Sequence, residues 1–194
     1  MSGPGGPAAV GRGDSASGEG ERTVVRLFEA ETIARRVEEL AAAIAATLPP
    51  ELTVVGLLKG AFVFTADLVR ALDRAGMRPR VEFLQVSSYG LGTESSGTVK
   101  VIGEMPGSIG GRDVLLVDDI QDTGRTLAWT RALLLEHGAA RVWTCALLDK
   151  PSRRVVESRL DFVGFEIPDV FVVGYGIDWA ERFRHLPWIG RVES

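Results

Sequence analysis

The chain has one cysteine, two histidines and two tyrosines among its 194 residues. With Cys145 alone, no intrachain disulfide can form, so a disulfide-stapled secreted scaffold is excluded. Cys145 lies in an apolar run and reads as a small core residue, and this cysteine usage fits a reducing cytoplasm. His137 and His185 have no partners at metal-ligand spacing and read as structural or surface residues. No apolar stretch approaches the roughly 20 residues needed to cross a bilayer, so no membrane association is expected. The first residues hold no apolar core of the kind a signal peptide carries, so none is expected there. Positive charge is not in excess either. The formal net charge is −4, which argues against a nucleic-acid-binding domain, although a local basic patch is compatible with it. The Gly-x-x-x-x-Gly-Lys pattern of a Walker A loop is also missing.

What is present suits one ordinary α/β domain: 45% of residues are hydrophobic, enough for a sizeable core. Residues 1–22 are rich in Gly, Ala, Ser and Pro and cannot bury enough surface to offset ordering entropy, so a disordered tail is expected there. The folded domain is expected over 23–194. Residues 29–47 predict an amphipathic helix, with Ile33, Val37, Leu40 and Ile44 on one face and Pro49-Pro50 as its stop. Buried strands are predicted at 52–58, 81–87, 99–102, 113–117 and 141–148, with helices at 61–75 and from the Thr/Gly turn after the fourth strand to about His137. This alternation predicts an α/β fold: a mostly parallel twisted sheet with helices on both faces. Ligands then bind beyond the C-terminal strand ends. Four segments follow such ends: Lys59-Gly60, Ser88-Tyr89, residues 118–126 and Asp149-Lys150. Residues 161–194 mix short apolar runs, turn residues and aromatics, and read as an appended substructure rather than a further strand–helix unit.

The most informative segment is Val114-Leu115-Leu116-Val117-Asp118-Asp119-Ile120-Gln121-Asp122-Thr123-Gly124-Arg125-Thr126-Leu127. Its apolar half reads as a buried parallel strand, and its other half as a turn opening a helix. Backbone N–H groups of such a turn, the Thr123 and Thr126 hydroxyls and the helix dipole can hold a phosphate. Gly124 lets the backbone approach closely. The paired carboxylates of Asp118 and Asp119 can accept hydrogen bonds from vicinal hydroxyls or face a metal ion. The whole suits a phosphorylated sugar. The Asp122 charge would repel a phosphate, and a helix N-cap is one role open to it.

This segment resembles the phosphoribosyl pyrophosphate signature of the type I phosphoribosyltransferases. Leu57-Leu58-Lys59-Gly60, Ser87-Ser88-Tyr89-Gly90, Asp149-Lys150-Pro151, the run from Asp161 to Pro168, and Phe171-Val172-Val173-Gly174-Tyr175-Gly176-Ile177-Asp178 with Phe183-Arg184 resemble one branch of that family, the hypoxanthine (hypoxanthine-guanine) enzymes. The resemblance spans roughly residues 24–192. It implies the type I phosphoribosyltransferase fold, with a small C-terminal/N-terminal hood formed mainly by 161–194. It implies purine salvage: phosphoribosyl pyrophosphate and a 6-oxopurine base giving a nucleoside monophosphate and pyrophosphate, with Mg2+ as cofactor and a homo-oligomer, dimer or tetramer, as the working form.

The resemblance also implies roles. Asp118 and Asp119 would hold the ribose hydroxyls, directly or through a metal ion. Residues Asp122, Thr123, Gly124, Arg125 and Thr126 would form the 5′-phosphate loop, with Asp122 as the catalytic acid or base near N7 of the purine. Lys59, Gly60 and Arg184 would bind pyrophosphate, and the Leu58–Lys59 peptide can be cis. Lys150 would donate to the 6-oxo group, Phe171 would stack on the base, and Val172 would meet its edge. Asp178 would stand at the purine site and, with Asp118 and Asp119, at the metal. Ser88 and Tyr89 would open a flexible loop over 88–98 that closes on the site. Lys is a donor only, so Lys150 speaks against a 6-amino purine. It separates hypoxanthine, guanine and xanthine poorly. Asp118 stands where many relatives carry Glu, and Arg125 where others carry Lys or an apolar residue. A regulator of the same fold that binds nucleotides without catalysis is the alternative, and Asp122, Lys150, Asp178 and Arg184 together favour the enzyme.

Overall fold

The computed structural model describes residues 23–89, 98–107 and 109–193. The expected tail at 1–22 and the centre of the expected loop, 90–97, lie outside them. The elements run β1 (Val24–Phe28), α1 (Ala30–Thr47), β2 (Thr53–Leu58), α2 (Phe62–Arg74), β3 (Arg80–Tyr89), β4 (Thr98–Ile102), β5 (Asp113–Gln121), α3 (Arg125–Glu136), β6 (Arg141–Asp149), β7 (Phe162–Glu166), β8 (Val172–Val173) and β9 (Ile189–Val192).

Six strands form one sheet in the order β4-β3-β2-β5-β6-β7. Every pairing from β3 to β7 is parallel, and only the edge strand β4 is antiparallel. The central strands are continuous apolar runs because both of their faces are covered. Side chains alternate between those faces: Leu115 and Val117 of β5 pack with α1 and α2, whereas Val114 and Leu116 pack with Leu127 and Leu134 of α3. Helix α1 buries Ile33, Val37, Leu40, Ala41 and Ile44, which includes the expected stripe. Helices therefore lie on both faces of a mostly parallel sheet, as expected.

Three segments differ from expectation. Strand β5 continues through Gln121, so Asp118 and Asp119 are strand residues, with Asp118 opposite Ala146 of β6. Strand β3 continues to Tyr89, and the backbones of Ser88 and Tyr89 pair with Val99 and Thr98. The expected loop thus starts inside a hairpin ladder. Strand β7 pairs in parallel with β6, so residues 162–166 belong to the main sheet rather than to the appended substructure. Arg36 of α1 braces this edge strand, donating to the carbonyls of Val163 at 2.9 Å and Gly164 at 2.7 Å. The hood is a separate antiparallel sheet, β1-β9-β8, in which the chain's first described strand pairs with its last. Val172 and Ile189 tie the hood to the core shared with α1 and α2.

Leu116 is fully buried on the face of β5 that meets α3. Leu116→Ala is expected to lower unfolding free energy by about 2–5 kcal/mol, measured by urea denaturation. A loss below about 0.5 kcal/mol would contradict this packing.

Candidate active site

The β5–α3 junction lines a cavity of about 330 Å3 together with Leu57, Leu58, Gly60 and Val86. All residues from Asp118 to Leu127 face it, so the expected ribose and phosphate groups converge at the C-terminal edge of the sheet.

Parallel pairing on both sides of β5 carries the two acids into a crowded place. Asp118 is buried, and its Oδ1 accepts a hydrogen bond from the Asp119 backbone N–H at 3.0 Å. Burial pushes the Asp118 carboxyl well above its ordinary range, and the neighbouring Asp119 charge adds to the rise. Burial also raises Asp119, against hydrogen bonds and the Arg184 charge that pull it down. The loop after β2 presses on this pair. A Cβ on Gly60 would stand 2.0 Å from Asp119 Oδ2, so only glycine fits. The Leu58–Lys59 peptide before it is cis.

The phosphate loop is shaped by hydrogen bonds on its outer side. The Asp122 carbonyl accepts from Arg154 Nη1 at 2.7 Å, and the Thr123 carbonyl accepts from the N–H groups of Val155 at 3.0 Å and Val156 at 3.2 Å. Gln121 Nε2 donates to the Ser158 carbonyl at 2.9 Å, and its own carbonyl accepts from the Lys150 N–H at 3.0 Å. With the carbonyls turned outward, the start of α3 is left to present N–H groups. Gly124 precedes the helix with φ 83°, and no side chain caps it. That excludes the N-cap alternative for Asp122. The Thr123 hydroxyl lies 3.4 Å from the Arg125 N–H, and a helix start in this state is a site for an anion.

Of the other expected residues, Asp122 lines the cavity, whereas Lys59, Lys150, Phe171, Val172, Asp178 and Arg184 do not. Asp122 is half-exposed and pairs with Arg153 Nε at 3.2 Å. Lys150 is buried at the end of β6. Phe171 is exposed and Val172 buried at the start of β8. Asp178 pairs with Arg184 Nη2 at 2.7 Å, and Arg184 Nη1 donates to the Gly176 carbonyl at 2.8 Å. A Cβ on Gly176 would lie 2.4 Å from the Gly60 carbonyl, which brings the 174–184 segment against the Lys59-Gly60 loop. Ser88 and Tyr89 end β3, two and three residues beyond Val86 of the cavity wall. Among the described residues no group of three or more His, Cys, Asp or Glu side chains could hold a metal by itself.

Four residues here were not singled out from the sequence. Arg154 joins the phosphate loop to the Asp149 carboxylate, Arg153 faces Asp122, Gln121 links both flanks, and Glu181 faces Lys59. The Arg153-Arg154 pair three residues after Lys150 was the available signal for the first two.

An uncapped helix start beside buried carboxylates defines an α/β domain built to hold a phosphorylated sugar. Residues 24–179 match the family described as the phosphoribosyl transferase domain. The chain is 52% identical over 170 residues to the hypoxanthine-guanine phosphoribosyltransferase of Aquifex aeolicus, covering 87% of this chain and 94% of that one. It is 44% identical over 165 residues to the enzyme of the same name from Bacillus subtilis, covering 84% and 90%. Among solved structures, the hypoxanthine phosphoribosyltransferase of Staphylococcus aureus superposes with a TM-score of 0.80 at 38% identity, covering 87% of this chain and 90% of that one. The hypoxanthine-guanine phosphoribosyltransferase of Bacillus anthracis, with HEPES in its active site, also gives 0.80, at 41% identity, covering 87% and 98%. The chain belongs to the phosphoribosyltransferase family, in its hypoxanthine-guanine branch.

The acid pair has a thermodynamic consequence. Asp118 has a folded-state pKa above its ordinary 3.8, so between those two values the folded state binds more protons than the unfolded one. Stability therefore falls as pH rises through that window. Asp118→Asn is expected to stabilise the ligand-free protein at pH 7 by on the order of 1–2 kcal/mol and to flatten the fall in melting temperature from pH 4 to 7. A variant less stable than the parent at pH 7 would contradict the assigned desolvation.

Proposed function

We propose that the chain transfers the 5-phosphoribosyl group of phosphoribosyl pyrophosphate to N9 of a 6-oxopurine, hypoxanthine and guanine, releasing pyrophosphate and the nucleoside 5′-monophosphate. The observation that carries this reading is the β5–α3 junction, where outward-turned carbonyls and an uncapped helix start adjoin two carboxylates at a strand end. The names of the relatives supply the same reaction.

In this reading the N–H groups from Thr123 to Thr126 and the two threonine hydroxyls hold the 5′-phosphate. Asp118 and Asp119 accept from the ribose 2′- and 3′-hydroxyls. Lys59, Gly60 and Arg184 receive the pyrophosphate, for which the planar fork of Arg184 suits two oxygens at once. Arg184 Nε is buried and unpaired among the described residues, so a donor is available. Lys150 donates to the 6-oxo group, exposed Phe171 stacks on the purine face, and Val172 meets its edge through backbone groups. Transfer breaks the bond from C1′ to the pyrophosphate oxygen and forms the bond from C1′ to N9. The base loses one proton, and the half-exposed carboxylate of Asp122 takes it near N7. Ser88 and Tyr89 begin the loop that closes on the site and excludes water from the ribosyl centre.

The donor set fits magnesium. This ion takes one or two carboxylates and completes its shell with substrate oxygens and water, and Asp118, Asp119 and Asp178 supply carboxylates without forming a closed cage. When bound, magnesium neutralises charge on the leaving pyrophosphate. The reading extends to a cytoplasmic homo-oligomer, dimer or tetramer, with 23–194 as one domain whose hood joins β1 to the segment after β7. No helix among the described residues is long and apolar enough to cross a membrane.

Steady-state assays with phosphoribosyl pyrophosphate, magnesium and five bases test the proposal. Turnover is expected with hypoxanthine and guanine and not with adenine or uracil; xanthine completes the series. No turnover of any 6-oxopurine by folded protein would refute it. Asp122→Asn is expected to lower kcat by about 10²–10⁴ with less than about tenfold change in KM, and an unchanged kcat would remove its role.

A further inference from the structure

Both cations assigned to the pyrophosphate lie against one carboxylate, that of Glu181, which Arg184 Nη2 shares with a closer partner, Asp178 at 2.7 Å. Lys59 Nζ lies 3.3 and 3.2 Å from the two carboxylate oxygens of Glu181, and Arg184 Nη2 lies 3.4 Å from one of them. Pairing with Lys59 lowers the Glu181 pKa, so the carboxylate is ionised at neutral pH. The backbone holds it in place. Glu181 has φ 62°, between Ala180 at 52° and Phe183 at 74°, a left-handed region that residues with side chains rarely adopt. Its N–H donates to Asp178 Oδ2 at 2.8 Å, Trp179 and Arg182 form an antiparallel bridge, and the Trp179 and Phe183 rings stack at 6.4 Å. Backbone strain of this kind persists only where surrounding contacts enforce it, and here they enforce a negative charge where a negatively charged leaving group must sit.

Phosphoribosyl transfer needs no carboxylate at that point. A fixed anion there repels pyrophosphate and occupies its donors. We infer that Glu181 is a built-in competitor for pyrophosphate, neutralising Lys59 and Arg184 while that end of the site is empty and giving way when pyrophosphate enters. The inference rests on the phosphoribosyltransferase reading above and extends it from which groups bind pyrophosphate to what limits its affinity. Such a competitor weakens the grip on the leaving group and favours its departure after transfer. The Glu181 and Lys59 side chains are 66% and 56% exposed, so the pairs are solvent-screened and the effect is moderate.

Isothermal titration of the full chain with inorganic pyrophosphate in excess magnesium tests this. Glu181→Gln and Glu181→Ala, both at an exposed position, are compared with the parent, and melting temperatures confirm folding. Both variants are expected to bind pyrophosphate roughly three- to tenfold more tightly, and the gain is expected to shrink in a Lys59→Met background. A role in shaping the segment alone would weaken binding or leave it unchanged. Equal or weaker binding by both variants overturns the inference, as does a gain that persists undiminished without Lys59. Binding by none of the folded proteins overturns the phosphoribosyltransferase reading itself, and this inference with it.

Discussion

The contact between Gly60 and Asp119, next to buried Asp118, is the constraint on which the site depends. Two carboxylates, one of them buried, sit where the end of β5 meets the loop after β2, with no room there for even a methyl group on Gly60. Left to itself this arrangement is unfavourable, since burial pushes both groups toward protonation and the Asp119 charge adds to the rise at Asp118. The sheet supplies the compensation. β5 is paired on both sides with parallel strands whose side chains fill two cores, so the strand end cannot relax away from its neighbours. A cation or hydroxyl donors at that point would relieve the crowding of charge.

The same logic governs the flanks. The segment after β6 takes up the carbonyls of Gln121, Asp122 and Thr123, and through that it decides that N–H groups rather than carbonyls face the cavity. Arg154 makes this a bridge, because its second branch reaches Asp149, the neighbour of Lys150. In the proposed reading, phosphate binding and base recognition are therefore mounted on one short stretch of chain. On the opposite side, Gly176 packs on Gly60, which ties the base-side hood segment to the pyrophosphate loop. The three loops that the proposed reading assigns to the three parts of the substrate are mechanically joined.

Much of this was legible from residue patterns. Short continuous apolar runs located the strands β2, β5 and β6, and near-3.6 spacing located the helices, because burial of both strand faces and of one helix face is a local signal. The acids and the Thr/Gly turn were legible for the same reason. What escaped depends on distant partners. β1 is a strand because residues far along the chain, in β9, pair with it. β7 joins the main sheet through β6 and Arg36, neither of which its own five residues announce. The extension of β5 over Asp118 and Asp119 contradicts the usual depletion of Asp in strands and is imposed by pairing with β6. Arg153, Arg154 and Glu181 were not singled out from the sequence, because only the fold brings them to Asp122, Asp149 and Lys59.

The central claim is that one joined site reads the phosphate, the ribose and the 6-oxo group together. Calorimetric titration with inosine 5′-monophosphate and adenosine 5′-monophosphate tests it most directly, because the two share phosphate and ribose and differ at the purine 6-position. With a buried donor at Lys150, inosine monophosphate is expected to bind at least about tenfold more tightly, since the 6-amino group leaves that donor unpaired. Equal affinity for the two nucleotides, or no binding of inosine monophosphate to folded protein, would contradict it.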